Sequence, residues 1–183
     1  MGTKQIFTIR QAVYADLSAY TDLLQRCYRH AYTDEGIGLT ADCFSKDVFA
    51  TDDTQRFLAK QIAESDTQKT WLAFEDDVLV GTVTRALLSD GEAEIKGLYV
   101  LPEYQGRGIG KKLYALALEF AGERDLVLDI YCHNTKGIQM YERWGWKLDT
   151  TRGEKGYFYR HWPEWPEGLQ AKCQYMRLVR DKG

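Results

Sequence analysis

Apolar positions recur at helical spacing near the start of this chain, gather into strand-like runs in its middle, and alternate between the two afterwards. Ile6 to Arg10 predicts a short strand. Asp16 suits an N-cap, and Leu17, Tyr20, Leu24, Tyr28 and Ala31 follow at helical spacing, so residues 16–31 predict an amphipathic helix. Thr33 to Thr40 is polar, carries two glycines and predicts a loop. Residues 41–50 fit neither period. A second helix is expected over Thr54 to Glu64, with Phe57, Leu58, Gln61 and Ile62 marking its faces.

The middle of the chain is β-rich. Thr70 to Phe74 and Val78 to Thr84 flank the polar Glu75-Asp76-Asp77, which predicts a hairpin. Glu92 to Leu101 forms the next strand-like run, after Ser89-Asp90-Gly91 and before Pro102. A glycine-rich turn follows, then a helix with Ile109, Leu113, Leu116, Ala117 and Phe120 on one apolar face. Leu126 to Cys132 is almost continuously apolar, as a strand covered on both faces should be. Asn134 suits the cap of a short helix that Gly145 should end. Two short strands are expected near Trp146–Thr150 and Gln174–Val179, with residues 151–173 as a long insertion between them. This order predicts a single domain over residues 1–183, a mixed α/β sandwich around a central sheet.

Composition narrows the function classes. The chain has 183 residues, 44% hydrophobic and 13% aromatic, enough for a sizeable core. Against 27 Asp+Glu stand 24 Lys+Arg, a formal charge of −3, so the basic excess of a dedicated nucleic-acid binder is missing. Cys27, Cys43, Cys132 and Cys173 include no C-x-x-C pair. Reduced thiols and a cytoplasmic setting are therefore expected, rather than a zinc site or a disulfide framework. The most apolar stretch, Tyr114 to Ala121, is too short to span a bilayer, and Met1 to Ile6 has no signal-peptide character. No membrane partner is expected. His30 and His161 have no ligand-spaced neighbours, so no metal is expected either.

Gln105-Gly106-Arg107-Gly108-Ile109-Gly110 is the stretch most suggestive of chemistry. It lies between a strand and a helix start. Glycines there allow close backbone approach to a ligand, and a helix N-terminus offers unpaired N–H groups that suit phosphate oxygens. A tight turn without a ligand fits the same residues. A dinucleotide fingerprint starting at Gly106 fails at Lys111, and a Walker loop ending at Gly110-Lys111 fails at Gln105 and Lys112. The spacing of Asp129 from this loop, close to that of a ribose-binding acid, is then coincidental.

Gln105-x-x-Gly108-x-Gly110, preceded by Leu98-Tyr99-Val100 and Pro102, resembles the acetyl-CoA-binding signature of the GNAT superfamily of N-acetyltransferases. Asn134, Ile138, Tyr141, Gly145 and Trp146 resemble that family's second block, with Gly137 where Ala is frequent and Trp146 where Phe is commoner. The resemblance covers roughly residues 6–180. It implies a GNAT-like mixed, mostly antiparallel sheet flanked by helices, with a splayed V between the fourth and fifth strands. It also implies acetyl-CoA as acyl donor and co-substrate. Leu98, Tyr99 and Val100 would meet the pantetheine mostly through main chain. Gln105, Gly106, Arg107, Gly108, Ile109, Gly110 and Lys111 would hold the pyrophosphate, with Arg107 or Lys111 adding charge. Asn134 would bond the pantetheine arm, cap a helix, or do both.

Acetyl transfer to an amine needs a neutral nucleophile. Deprotonating an alkylammonium at pH 7 costs about 4–5 kcal/mol, whereas protonating the departing thiolate is worth about 2 kcal/mol. The resemblance makes Glu94, or Glu92 two residues before it, the candidate base, directly or through water. Both also suit solvated acids at a strand start. Tyr141 is the candidate acid at the CoA sulfur, or else a core tyrosine packed with Ile138. Cys132-His133 does not suit a thiol nucleophile, because strand neighbours point to opposite faces. The acceptor is expected to be a small-molecule or peptide primary amine. Its pocket is expected at Thr33–Gly38 or at the aromatic and acidic run Trp162–Glu167, which equally suits a stiff surface loop. A non-catalytic acyl-CoA sensor and a nucleotide-binding regulator are the rival functions. A homodimer through an edge strand near the C-terminus is a further possibility.

Overall fold

A computed structural model describes residues 7–180. Ile6, at the start of the first expected strand, and the Met1–Ile6 segment lie outside the described residues. The strands are β1 (Thr8–Gln11), β2 (Gln68–Glu75), β3 (Val78–Leu87), β4 (Ala93–Val100), β5 (Leu126–Tyr131), β6 (Lys147–Leu148), β7 (Tyr157–Arg160) and β8 (Ala171–Leu178). The helices are α1 (Leu17–Tyr32), α2 (Lys46–Phe49), α3 (Asp52–Ile62), α4 (Ile109–Ala121) and α5 (Thr135–Arg143). The sheet order is β1-β2-β3-β4-β5-β8-β6, with β7 also on the outer side of β8. Every pairing is antiparallel except β4 with β5.

The sheet separates two cores. Tyr20, Leu23, Leu24 and Cys27 of α1 pack with Leu58 and Ile62 of α3 over Leu72 and Tyr131 on one face. On the other, Ile109, Leu113, Ala117 and Ala121 run down one stripe of α4 onto Val80, Val83, Ile95 and Leu128. Spacings of four place these α4 residues on a single helix face, which explains why α4 lies flat on the sheet. Among the described residues no helix is long and apolar enough to cross a membrane.

The V comes from two local features. Parallel pairing of β4 with β5 is limited to Ala93 with Leu126 and Glu94 with Val127. Immediately beyond, the β3–β4 register jumps from Arg85/Ile95 to Thr84/Gly97, leaving Lys96 as an extra residue on β4. A bulge of this kind bends its strand and increases local twist. From Lys96 to Val100, β4 keeps β3 on one side and presents an unpaired backbone edge on the other.

The closed end of the V is tied by charge. Arg177 on β8 bonds Asp149 at 3.1 Å and reaches Asp125 at 3.5 Å, and it also pairs with Glu92. Arg152 pairs with Glu92 too. Glu92 precedes β4 and Asp125 precedes β5, so Arg177 holds the two strand starts together.

Two expectations are corrected, and the segment that fitted neither period takes a definite form. The segment expected as an insertion over residues 151–173 contains β7, making eight strands instead of seven. β8 begins at Ala171, three residues earlier than expected, and it is interior. β6 and β7 supply the edge near the C-terminus. Residues 41–50 form a tight helical turn at Ala41–Phe44 followed by α2.

Candidate active site

A cleft of about 1200 Å³ opens along the unpaired edge of β4. Leu98, Tyr99, Val100, Gln105, Gly106, Gly108, Ile109, Gly110, Lys111, Asn134 and Tyr141 all line it. Two separated sequence blocks therefore meet in one place. Gly106 and Gly108 have φ of +77° and +85°, values that cost a residue with a Cβ about 1–2 kcal/mol. A Cβ at either would have nothing within 4 Å, so backbone conformation, not crowding, selects glycine there. The N–H groups of Gly106 to Gly110 meet no backbone acceptor among the described residues, and the first turn closes with Lys112 N donating to Gly108 O at 3.2 Å. A row of unpaired donors at the start of a thirteen-residue helix suits a diphosphate.

The side chains of this loop divide. Arg107 is turned away from the cleft. It sits 3.2 Å from Glu75, donates to Glu103 O at 3.0 Å and lies over the Tyr104 ring at 4.8 Å. Lys111 lines the cleft, as do Lys96, Lys136 and Arg143. Gln105 Nε2 donates to Val100 O at 3.0 Å, which braces the loop against the end of β4.

Asn134 caps α5 as expected, accepting from Gly137 N at 3.1 Å through Oδ1. Its Nδ2 makes no hydrogen bond among the described residues, and Asn134 lines the cleft. A Cβ at Gly137 would meet Nδ2 at 2.6 Å and Ile130 Cδ1 at 2.9 Å. Glycine at this helical position thus makes room for the Asn134 side chain.

Tyr141 is buried, and its ring is fixed edge-on by Trp144 and Trp146 at 5.8 and 5.5 Å. Trp146 Nε1 in turn donates to Tyr114 OH at 2.8 Å. Burial pushes the Tyr141 hydroxyl above the usual tyrosine range, which keeps it protonated near neutral pH with a hydrogen to donate.

A second cavity of about 480 Å³ lies on the other face of the split. Tyr32, Lys96, Tyr99, Asp129 and Ile130 line both cavities, so the two adjoin where β4 and β5 part. Glu94 lines this second cavity and Glu92 lines neither. Burial, reinforced by nearby Asp129, raises the Glu94 carboxyl above its ordinary range. Asp129 itself is paired with Arg160 at 2.7 Å. Tyr32 OH lies 3.1 Å from Tyr99 OH, and His133 Nε2 lies 3.0 Å from Tyr32 O, tying β5 to the end of α1. Burial raises the Cys132 thiol above its usual range, the opposite of what a reactive thiolate needs.

Of the two segments expected at the acceptor side, Thr33–Gly38 does not line the second cavity, whereas Trp162, Pro163 and Glu164 do. Trp165 lines neither cavity; it is buried in the core and stacks on Trp162 at 5.7 Å. Tyr28, Phe49, Asp129 and Arg160 complete the pocket, and sequence reading missed them. They come from four distant segments, and Arg160 lay in the stretch expected as an insertion. Among the described residues no group of three or more His, Cys, Asp or Glu side chains could hold a metal ion.

A family model described as the acetyltransferase (GNAT) family matches residues 17–146. The spermidine N(1)-acetyltransferase of Thermoplasma acidophilum is 30% identical over 84 residues, 44% of this chain and 52% of that relative, so the match spans about half of the relative's length. The PaiA N-acetyltransferase of Thermoplasma acidophilum, solved in complex with coenzyme A, superposes with a TM-score of 0.65 at 19% identity, covering 96% of this chain and 99% of that one. A GNAT-family acetyltransferase from Streptococcus pneumoniae gives 0.65 at 22% identity, covering 95% and 99%. At these identities the two structures speak to the fold.

Proposed function

The chain belongs to the acetyltransferase (GNAT) family, and we propose that it transfers an acetyl group from acetyl-CoA to a primary amine by direct attack within a ternary complex. The observation that carries this reading is the meeting of two cavities at the β4–β5 split, one lined by Tyr141 and the other by Glu94. When bound, acetyl-CoA supplies the acyl group as an activated thioester. The open N–H groups of Gly106 to Gly110 and the ammonium of Lys111 fit its diphosphate. The unpaired edge of Leu98, Tyr99 and Val100, with the free Nδ2 of Asn134, fits the amide groups of its pantetheine arm.

Glu94 takes the proton from the acceptor ammonium, directly or through one water. Its raised proton affinity narrows the gap to an alkylammonium near 10.4 and makes it a stronger base than a solvated carboxylate. Tyr141 donates to the departing sulfur from the opposite side. Glu92, held by Arg152 and Arg177, keeps the closed end of the V together. The relative named for spermidine supports an amine as acceptor.

Initial rates with acetyl-CoA and amine both varied test the direct attack. Intersecting double-reciprocal lines are expected. Parallel lines, the signature of an acyl-enzyme, would overturn it.

A further inference from the structure

The second cavity contains carboxylates of two kinds. Asp129 is neutralised by Arg160 at 2.7 Å, and Asp53, at the exposed rim, pairs with Arg56. Lys96, on the same wall, donates to Gln68 Oε1 at 2.9 Å. Glu94 and Glu164 form no ion pair among the described residues, although both line the cavity.

Glu164 is held in place without a cation. Its Oε1 accepts from Thr51 Oγ1 at 2.8 Å and from Thr54 Oγ1 at 3.3 Å. Thr51 caps the eleven-residue α3, so the carboxylate rests at a helix start whose partial positive charge favours the anion. The segment carrying it is pinned on both sides. Trp162 lies 5.9 Å from Phe49 and 5.7 Å from Tyr28, and Trp165 donates through Nε1 to Cys43 O at 3.2 Å. Oε2 of Glu164 is left without a partner. The same cavity wall carries the aromatic rings of Tyr28, Phe49 and Trp162, which pack on one another.

Resting on the transferase reading above, we infer that Glu164 seats a second ammonium, so that the preferred acceptor is an alkyl chain bearing an amine at each end. The reacting amine meets Glu94. The methylenes lie along Tyr28, Phe49 and Trp162, whose ring faces also suit a cation. The outer ammonium, still protonated, pairs with Glu164 by a charge-assisted hydrogen bond. A monoamine of the same length fills the inner half alone and leaves Glu164 unsatisfied.

The test compares kcat/KM for putrescine and cadaverine with butylamine and pentylamine, at saturating acetyl-CoA, in the wild type and in Glu164→Gln. The wild type should favour each diamine over its matched monoamine by about tenfold or more. Glu164→Gln keeps an oxygen for Thr51 and Thr54 and should shrink that ratio to about twofold or less. Equal efficiencies in the wild type, or a ratio that survives Glu164→Gln, would overturn the inference while leaving the transferase reading intact. Absence of thiol release with every amine would overturn both. The wild-type comparison decides the matter alone if the variant does not fold.

Discussion

Glu94 and Val127 are the last residues at which β4 and β5 run side by side, and the strands separate from the next residue onward. The carboxylate assigned as base therefore stands at the apex of the V, where the two cavities adjoin. From there it can reach an amine on one side while the thioester enters from the other.

Replacing Glu94 by Gln should lower kcat/KM by about 100-fold, within the range for loss of general base catalysis. The pH profile gives the finer test. Because the folded carboxyl is raised above its ordinary range, the active carboxylate form is lost as pH falls through that raised value. The wild-type profile should show an acid limb above the usual carboxylate range, and Glu94→Gln should lack it. Stability follows the opposite sign, since a raised carboxyl pKa makes the folded state tighter for protons and relatively more stable at lower pH.

Tyr141→Phe should lower kcat by up to about 30-fold, the equivalent of the roughly 2 kcal/mol available from protonating the thiolate at pH 7. The acetyl-CoA Kd, read by calorimetry, should barely move. Unchanged turnover would remove Tyr141 from the chemistry and leave it as packing for Trp144 and Trp146.

Glu92→Gln separates structure from catalysis. Glu92 is largely buried between Arg152 and Arg177, so its loss should cost about 1–3 kcal/mol and lower Tm, with the acid limb of the pH profile kept. Asp149 belongs to the same network. Bonds from Thr151 and the Arg177 guanidinium outweigh its burial and hold its carboxyl below the ordinary range. Its contribution is present above the unfolded pKa and is lost as pH falls through the lowered folded value, so acid unfolding should become easier in that window.

Gly108→Ala forces a Cβ onto a backbone at φ +85° with open space around it. The expected result is a conformational cost of about 1–2 kcal/mol, read as a rise in acetyl-CoA Kd of about tenfold. Wild-type affinity would mean that the loop's backbone does not set the grip.

Most of the cleft around the glycine loop was legible in the sequence because it depends on backbone. Glycines at 106 and 108, the capping oxygen of Asn134 and the apolar stripe of α4 each act through neighbours a few residues away. Side-chain pairing across long separations was not legible. Nothing near Arg107 announces Glu75, 32 residues earlier, and nothing near Glu92 announces Arg152 and Arg177. β7 was hidden because Tyr157–Arg160 is only four residues long and sits between glycine-bearing and proline-bearing loops. Its concealment also hid Arg160, and with it the reason that Asp129 is neutralised and Glu94 is not.

The most direct measurement follows free thiol and acetylated amine together after wild-type protein saturated with acetyl-CoA is mixed with spermidine. Equal molar amounts rising in parallel, with negligible thiol when the amine is omitted, are predicted. Acetyl-CoA bound at the glycine loop without thiol release for any amine would contradict the account and leave an acyl-CoA-binding module in its place.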